Sequence, residues 1–290
     1  MKTSLMCMEC NIKQIIKLSN LLNVDSKKQE EAAKKIFKGL SNISFNLTNP
    51  EILGTITWPI ITEVFNNDNP YKEIKTMYNK LLYNLYNDFE ETVNKSKDKI
   101  DTALKLAVIG NVIDFGARHE FSKEEVLEST KNVESLTFKI DDRKSFREQL
   151  KTAKRLLYIG DNCGEIVLDR LFIQTIKEEY SDLEIYFGVR EAPVLNDVTE
   201  EDAYQVKMQE VAKIIKSGIA YPGTVLRASS KEFVNVFNNS DIVIAKGQGN
   251  FESLSDIKRK GLFLILIVKC SYVAEVANTE IMDYIVKENK

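Results

Sequence analysis

Histidine is nearly absent: His119 is the only one in 290 residues. That scarcity argues against histidine-based nucleophilic triads and histidine-rich zinc hydrolases, and leaves chemistry to carboxylates, amides and lysines. Cysteine is sparse too. Cys7, Cys10, Cys163 and Cys270 are too few for a secreted disulfide scaffold, which makes the cytoplasm the expected compartment. No basic-then-apolar leader stands at the start, and no run reaches the roughly 18 apolar residues of a membrane span. A formal net charge of -3 gives no electrostatic case for nucleic acid or an anionic membrane as the main partner.

What is present is enough apolar sequence for a substantial core. With 43% hydrophobic and 29% charged residues, the composition is that of a soluble globular protein, with two lobes or one large domain. Ser26-Lys-Lys-Gln29 has the form of a capping box opening a helix through Leu40. Asn49-Pro50 reads as an N-cap followed by proline at the first helical position, with Pro59 a kink further on. Ile74, Tyr78, Leu81, Leu82, Leu85 and Phe89 follow helical spacing, a further helix is expected over residues 99–115, and Ser122 to Glu125 caps a short one. After about residue 150 the period changes. Residues 155–160, 183–189, 241–245 and 262–268 are apolar runs of strand length, separated by helical patterns over residues 165–180, 202–216 and 231–238. The expected fold is therefore α/β. A Rossmann-like three-layer domain with a mainly parallel sheet (residues 151–290) follows an all-helical domain (residues 1–150).

Chemistry-bearing residues gather where these strands end. The first ends in Gly160-Asp161-Asn162, the second leads through Arg190 to Asn196-Asp197, and the third ends in Lys246-Gly247-Gln248-Gly249-Asn250. In a parallel sheet these ends converge on one edge, where such folds bind ligands. Asp161, Asn162 and Asp197 form a hard oxygen set suited to Mg²⁺ or Mn²⁺, with positions left for water and substrate. Lys246 would then be a point charge for phosphate, with backbone donors from residues 247–249. Each part also has a plain structural reading: Asp-Asn as a helix N-cap, Asn196-Asp197 as a turn with Thr199 capping the next helix. The segment GQGN lacks both common phosphate-loop patterns. Arg190 stands between substrate binding and an ion pair, and Asp114 between the cleft and the core. His119 reads as a surface residue and Trp58 as core. Cys7 and Cys10 form a CxxC; metal or redox use, which for zinc would need Cys163 or Cys270 as well, stands beside incidental thiols at a helix start.

The segments IGDNCGEIVLD (159–169), VREAPVLNDVTEEDA (189–203) and AKGQGNFESL (245–254) resemble the three signature blocks of the damage-control phosphatase family, formerly domain of unknown function eighty-nine. CMECNIKQ (7–14), NPYKEIK (69–75) and GNVIDFGA (110–117) resemble it in the helical half, so the likeness runs nearly end to end. The CxxC start looks like the small stand-alone prokaryotic and archaeal branch. The resemblance implies a metal-dependent phosphatase working best with Mn²⁺, Co²⁺ or Ni²⁺, with Mg²⁺ also open, on small phosphorylated metabolites. It implies Asp161, Asn162 and Asp197 as metal ligands and Lys246 as a phosphate contact. Gly247 and Asn250 fit the same motif, and Glu165 is the better candidate than Asp169 for the site.

The expected reaction is hydrolysis of a phosphate monoester by metal-activated water, with Asp161, Asp197 and Lys246 carrying it. An aspartyl-phosphate on Asp161 is the second mechanism. Two other functions remain open: a non-hydrolytic nucleotide- or cofactor-binding module, and a carboxyl methyltransferase. The oligomeric state is open, a homo-oligomer among the options.

Overall fold

The structure is a computed structural model that describes residues 1–46, 48–110, 123–131 and 133–290. Its helices are α1 (Leu5–Leu21), α2 (Ser26–Leu40), α3 (Pro50–Phe65), α4 (Lys72–Asn84), α5 (Tyr86–Lys95), α6 (Lys99–Ile109), α7 (Lys123–Thr130), α8 (Arg143–Leu150), α9 (Glu165–Glu179), α10 (Glu200–Gln205), α11 (Lys231–Asn239), α12 (Gly247–Leu254) and α13 (Ser271–Ala277). The strands are β1 (Ile140–Asp141), β2 (Arg155–Ile159), β3 (Glu184–Val189), β4 (Lys213–Lys216), β5 (Ile242–Lys246), β6 (Leu262–Ile267) and β7 (Tyr284–Glu288).

One seven-stranded sheet has the order β1-β7-β6-β5-β2-β3-β4, and every pairing is parallel except β6 with β7. The strand alternation builds the layers. Leu156 and Tyr158 of β2, Ile242 and Ile244 of β5, and Phe263 and Ile265 of β6 face α4, α5, α6 and α9. Leu157, Ile159, Val243, Ala245, Leu262 and Leu264 face the opposite way, onto α11, α12 and α13. The three-layer α/β expectation holds. Helices α1, α2 and α3 bury a separate cluster around Leu18, Ile36, Leu53 and Ile61, which takes in Val194 and Leu195 from beyond β3. Those helices thereby overhang the carboxyl ends of the strands.

Local departures from expectation have local causes. The N-cap of α2 is Asp25, whose carboxylate accepts from the Lys28 N–H, so the capping box written from Ser26 starts one residue too late. The long pattern from Tyr71 divides at Leu85 into α4 and α5. The pattern over 202–216 holds only α10 and a short 3₁₀ turn before Lys213–Lys216 extends as β4. There the β-branched pair Ile214-Ile215 suits a pleated edge better than a helix. The helix expected to reach residue 115 is described to Ile109. Ser122, Asp114 and His119, with most of the GNVIDFGA segment, lie outside the described residues.

Candidate active site

The sheet order makes a crevice between β2 and β5. β2 leads through α9 to β3 on one side, whereas β5 leads through α12 to β6 on the other, so the loops after β2 and β5 diverge. Such a switch point leaves space at the carboxyl edge.

Gly160 leaves β2 with its N–H on Gly188 O at 3.0 Å. A Cβ there would stand 2.7 Å from the Phe187 ring and 2.8 Å from Val198, so only glycine lets the two loops touch. They then zip together. Val198 N–H donates to Asp161 O at 2.9 Å, Cys163 N–H donates to Asn196 O at 2.9 Å, and Asn162 and Asp197 form an antiparallel bridge. Gly164 turns the chain into α9 at φ +81°, and its N–H is caught by Asn79 Oδ1 of α4 at 2.7 Å. Thr199, as expected, caps α10 through Asp202. The result is that Asp161, Asn162 and Asp197, 36 residues apart at the extremes, share one wall of a cleft of about 570 Å³.

Electrostatically this wall is short of positive charge. Burial, reinforced by Glu165 and Asp197, pushes the Asp161 carboxyl up to about 8. Burial likewise raises Asp197 to about 6, against the pull of Arg190, whose Nε donates to Asp197 Oδ2 at 2.7 Å. Asn162 Nδ2 donates to Asp161 Oδ2 at 2.6 Å. A half-turn of that amide would present its oxygen instead. Gly247, at φ +79°, makes room for Asp161: a Cβ on it would lie 1.9 Å from Oδ2. Two buried carboxylates, each costly as an anion, with an amide oxygen within reach, are the donor chemistry of a hard divalent cation. Among the described residues no group of three or more His, Cys, Asp or Glu side chains is arranged to hold a metal, so a cation here would draw on the Asn162 amide and on water or substrate.

The other expected residues stand behind this wall rather than in it. Lys246 continues the Ile242, Ile244 face of β5, so its side chain runs under the sheet toward α6 and α9. It is fully buried, and its Nζ donates to Glu165 Oε1 at 2.5 Å, Asp169 Oδ1 at 2.7 Å and Ala107 O at 2.9 Å. Burial alone would lower the Lys246 ammonium; Asp169 and Glu165 overcome it and leave Lys246 raised. Burial in turn holds Asp169 up at about 7 despite Lys246, and Tyr158 Oη donates to its Oδ1 at 2.5 Å. Glu165 connects the two groups, because its Oε2 accepts from Asn162 Nδ2 at 3.4 Å. Arg190, only 1% exposed, reaches Thr224 Oγ1 at 3.3 Å and Asn250 Oδ1 at 3.4 Å. Asn250 in turn donates to Lys246 O at 2.7 Å. Lys246, Asn250, Arg190 and Glu165, expected to meet phosphate, here hold protein groups: Lys246 holds Glu165 and Asp169, Arg190 holds Asp197 and Thr224, and Asn250 holds the Lys246 carbonyl.

Residues outside the expected site complete the cleft. Lys269 follows β6 and is exposed, and its charge acts on Asp161. It stands at a fourth strand end, so the reasoning applied to the other three would have found it. Glu51 and Trp58 of α3 and Glu252 of α12 line it as well. Trp58 is 7% exposed and donates from Nε1 to Pro193 O at 3.0 Å, so it serves both core and cleft. Cys7 and Cys10 of α1 and Cys270 before α13 also line the mouth as free thiols. Burial raises the Cys7 and Cys10 thiols, the opposite of what thiolate chemistry needs.

Comparison with known proteins agrees with this fold. Residues 3–285 match the damage-control phosphatase ARMT1-like domain. An uncharacterized protein of Methanocaldococcus jannaschii is 35% identical over 286 residues, covering 96% of this chain and 92% of its own. A damage-control phosphatase of Pyrococcus horikoshii is 34% identical over 276 residues, covering 94% and 93%. A damage-control phosphatase of Archaeoglobus fulgidus is 27% identical over 290 residues, covering 99% of both. The crystal structure of a DUF89 family protein from Pyrococcus horikoshii superposes with a TM-score of 0.92 at 32% identity over all of both chains.

Proposed function

This chain belongs to the damage-control phosphatase ARMT1-like family, and from that premise we propose that it is a metal-dependent phosphomonoester hydrolase acting on small phosphorylated metabolites. The observation that carries the reading is the ladder between the loops after β2 and β3. It turns two carboxylates and an amide from distant sequence toward one cleft. Asp161, Asn162 and Asp197 would hold the cation, with Mn²⁺, Co²⁺, Ni²⁺ and Mg²⁺ all compatible with oxygen donors. When bound, such an ion supplies Lewis acidity toward phosphoryl oxygens and lowers the pKa of a coordinated water.

The chain's own residues do the rest. Lys269, on the open side, draws the phosphate dianion toward a wall that is otherwise acidic. The first turn of α12, whose N-cap Lys246 makes no side-chain capping bond, offers backbone N–H groups beside it. Lys246 works from behind: by holding Glu165 it fixes the acceptor toward which the Asn162 amide points. A cleft of about 570 Å³ suits a metabolite rather than a macromolecule.

The test is phosphate release from p-nitrophenyl phosphate by metal-stripped protein resupplied with each cation. We expect activity to return with at least one of them, and Asp161→Ala or Asp197→Ala to lower kcat by at least ~10³-fold. Inactivity with every cation, or full activity in either variant, would overturn the reading.

A further inference from the structure

Two carboxyl groups in the cleft have no part in the account so far. Glu51 is the second residue of α3, directly after Pro50, and is 3% exposed. It fits because a glycine gives way to it: a Cβ on Gly223 would lie 2.5 Å from Glu51 Cγ. Glu252 lies on α12 one turn after Gln248, whose Nε2 donates to Glu252 Oε1 at 2.9 Å. The Glu51 and Glu252 carboxyls line the cleft close enough to interact, and two carboxyl groups can hydrogen-bond to each other only with a proton between them. Both line the same cleft as Asp161, Asn162 and Asp197, and Glu51 is within electrostatic range of Asp197 and Arg190.

We propose that this pair is the acid of the reaction: Glu51, sharing its proton with Glu252, delivers that proton to the leaving oxygen of the phosphate ester. The inference rests on the phosphatase reading. In the step, the oxygen of the attacking water forms the new bond to phosphorus as the bond from phosphorus to the ester oxygen breaks. The electron pair of the broken bond stays on the ester oxygen and takes the shared proton, so the leaving group departs as an alcohol. The proton shed by the water returns the pair to its starting state, and the sum is ester dianion plus water giving alcohol plus hydrogen phosphate. Burial and the neighbouring carboxyl raise Glu51 well above the ordinary carboxylate range, which favours its protonated form. After transfer, two adjacent carboxylates repel each other, and that repulsion favours reprotonation.

The consequence is a dependence on the leaving group. An alkoxide needs a proton as it departs, whereas p-nitrophenolate is already a stable anion. Glutamine at position 51 keeps the size and hydrogen bonding but has no transferable proton. We expect Glu51→Gln to lower kcat/KM for an alkyl ester such as glycerol phosphate by about a hundredfold more than for p-nitrophenyl phosphate. Glu252→Gln should shift the same ratio in the same direction, and it carries the test if circular dichroism shows that Glu51→Gln does not fold. Equal losses on the two esters, as a merely structural contact between α3 and α12 would produce, or no loss on either, would overturn the proposal. A wild-type protein that hydrolyses neither ester overturns the phosphatase premise instead, and no variant is needed to see it.

Discussion

Two groups of buried charge meet at Glu165 and differ in how they are balanced. Under the sheet, Lys246 touches Glu165, Asp169 and a backbone carbonyl, and the group is sealed from solvent. At the strand ends, Asp161 and Asp197 face an open cleft, and the closest guanidinium, Arg190, contacts Asp197 from behind. The first group carries its own cation as a side chain. The second presents acids to a cleft that a cation from solution can enter. In a sealed site the loss of one partner strands the other's charge, whereas acids facing a cleft can be met by a cation from solution.

Exchanging the covalent cation for an apolar side chain should break the sealed group first. Lys246→Met leaves Glu165 and Asp169 buried without their partner, and we expect a loss of about 3–5 kcal/mol in urea denaturation. An unchanged midpoint would mean that the two groups are not different in kind.

Next in size is the effect of pH on the metal-free protein. Asp161 at about 8 and Asp197 at about 6 lie above their ordinary value of 3.8, so the folded state keeps protons that the unfolded chain has released. The penalty is absent below about pH 4 and is complete only above about pH 8, so melting temperature should fall as pH rises through that window. Asp161→Asn together with Asp197→Asn should flatten the fall. Because a cation must displace those protons, its affinity should rise over the same range. A metal-free melting temperature that climbs toward pH 8 would contradict this.

The smallest expected effect lies at the turn between the two groups. Asn79→Ala deprives the buried Gly164 N–H of its acceptor, at a cost of about 1–3 kcal/mol. We expect kcat to fall by about tenfold with little change in KM, since the turn aims Asp161 and Asn162 but touches no substrate.

The contrast also explains what could be read from the sequence. The alternation of strand and helix after residue 150 announced the parallel sheet, and strand-end position pointed to Asp161, Asn162 and Asp197 as neighbours. Strand-end position puts Lys246 at the open edge, yet the period of two sends its side chain to the face of Ile242 and Ile244, under α9. Glu51 was not legible at all. Its position depends on α3 folding back over the strand ends, and no local pattern encodes that distance. CMECNIK reads as no more than one of two options, a helix start, and GQGNFESL as no helix at all, because neither has a clear apolar stripe. The packing of α1 on α2 and α3, and of α12 against β6, supplies what propensity does not.

The most direct test of the central claim is calorimetric titration of Mn²⁺ into metal-stripped protein near pH 8, for wild type and Asp197→Asn. The account predicts one site per chain in the wild type and at least a tenfold weaker one in the variant. Equal affinity in both, or no binding in either, would contradict it.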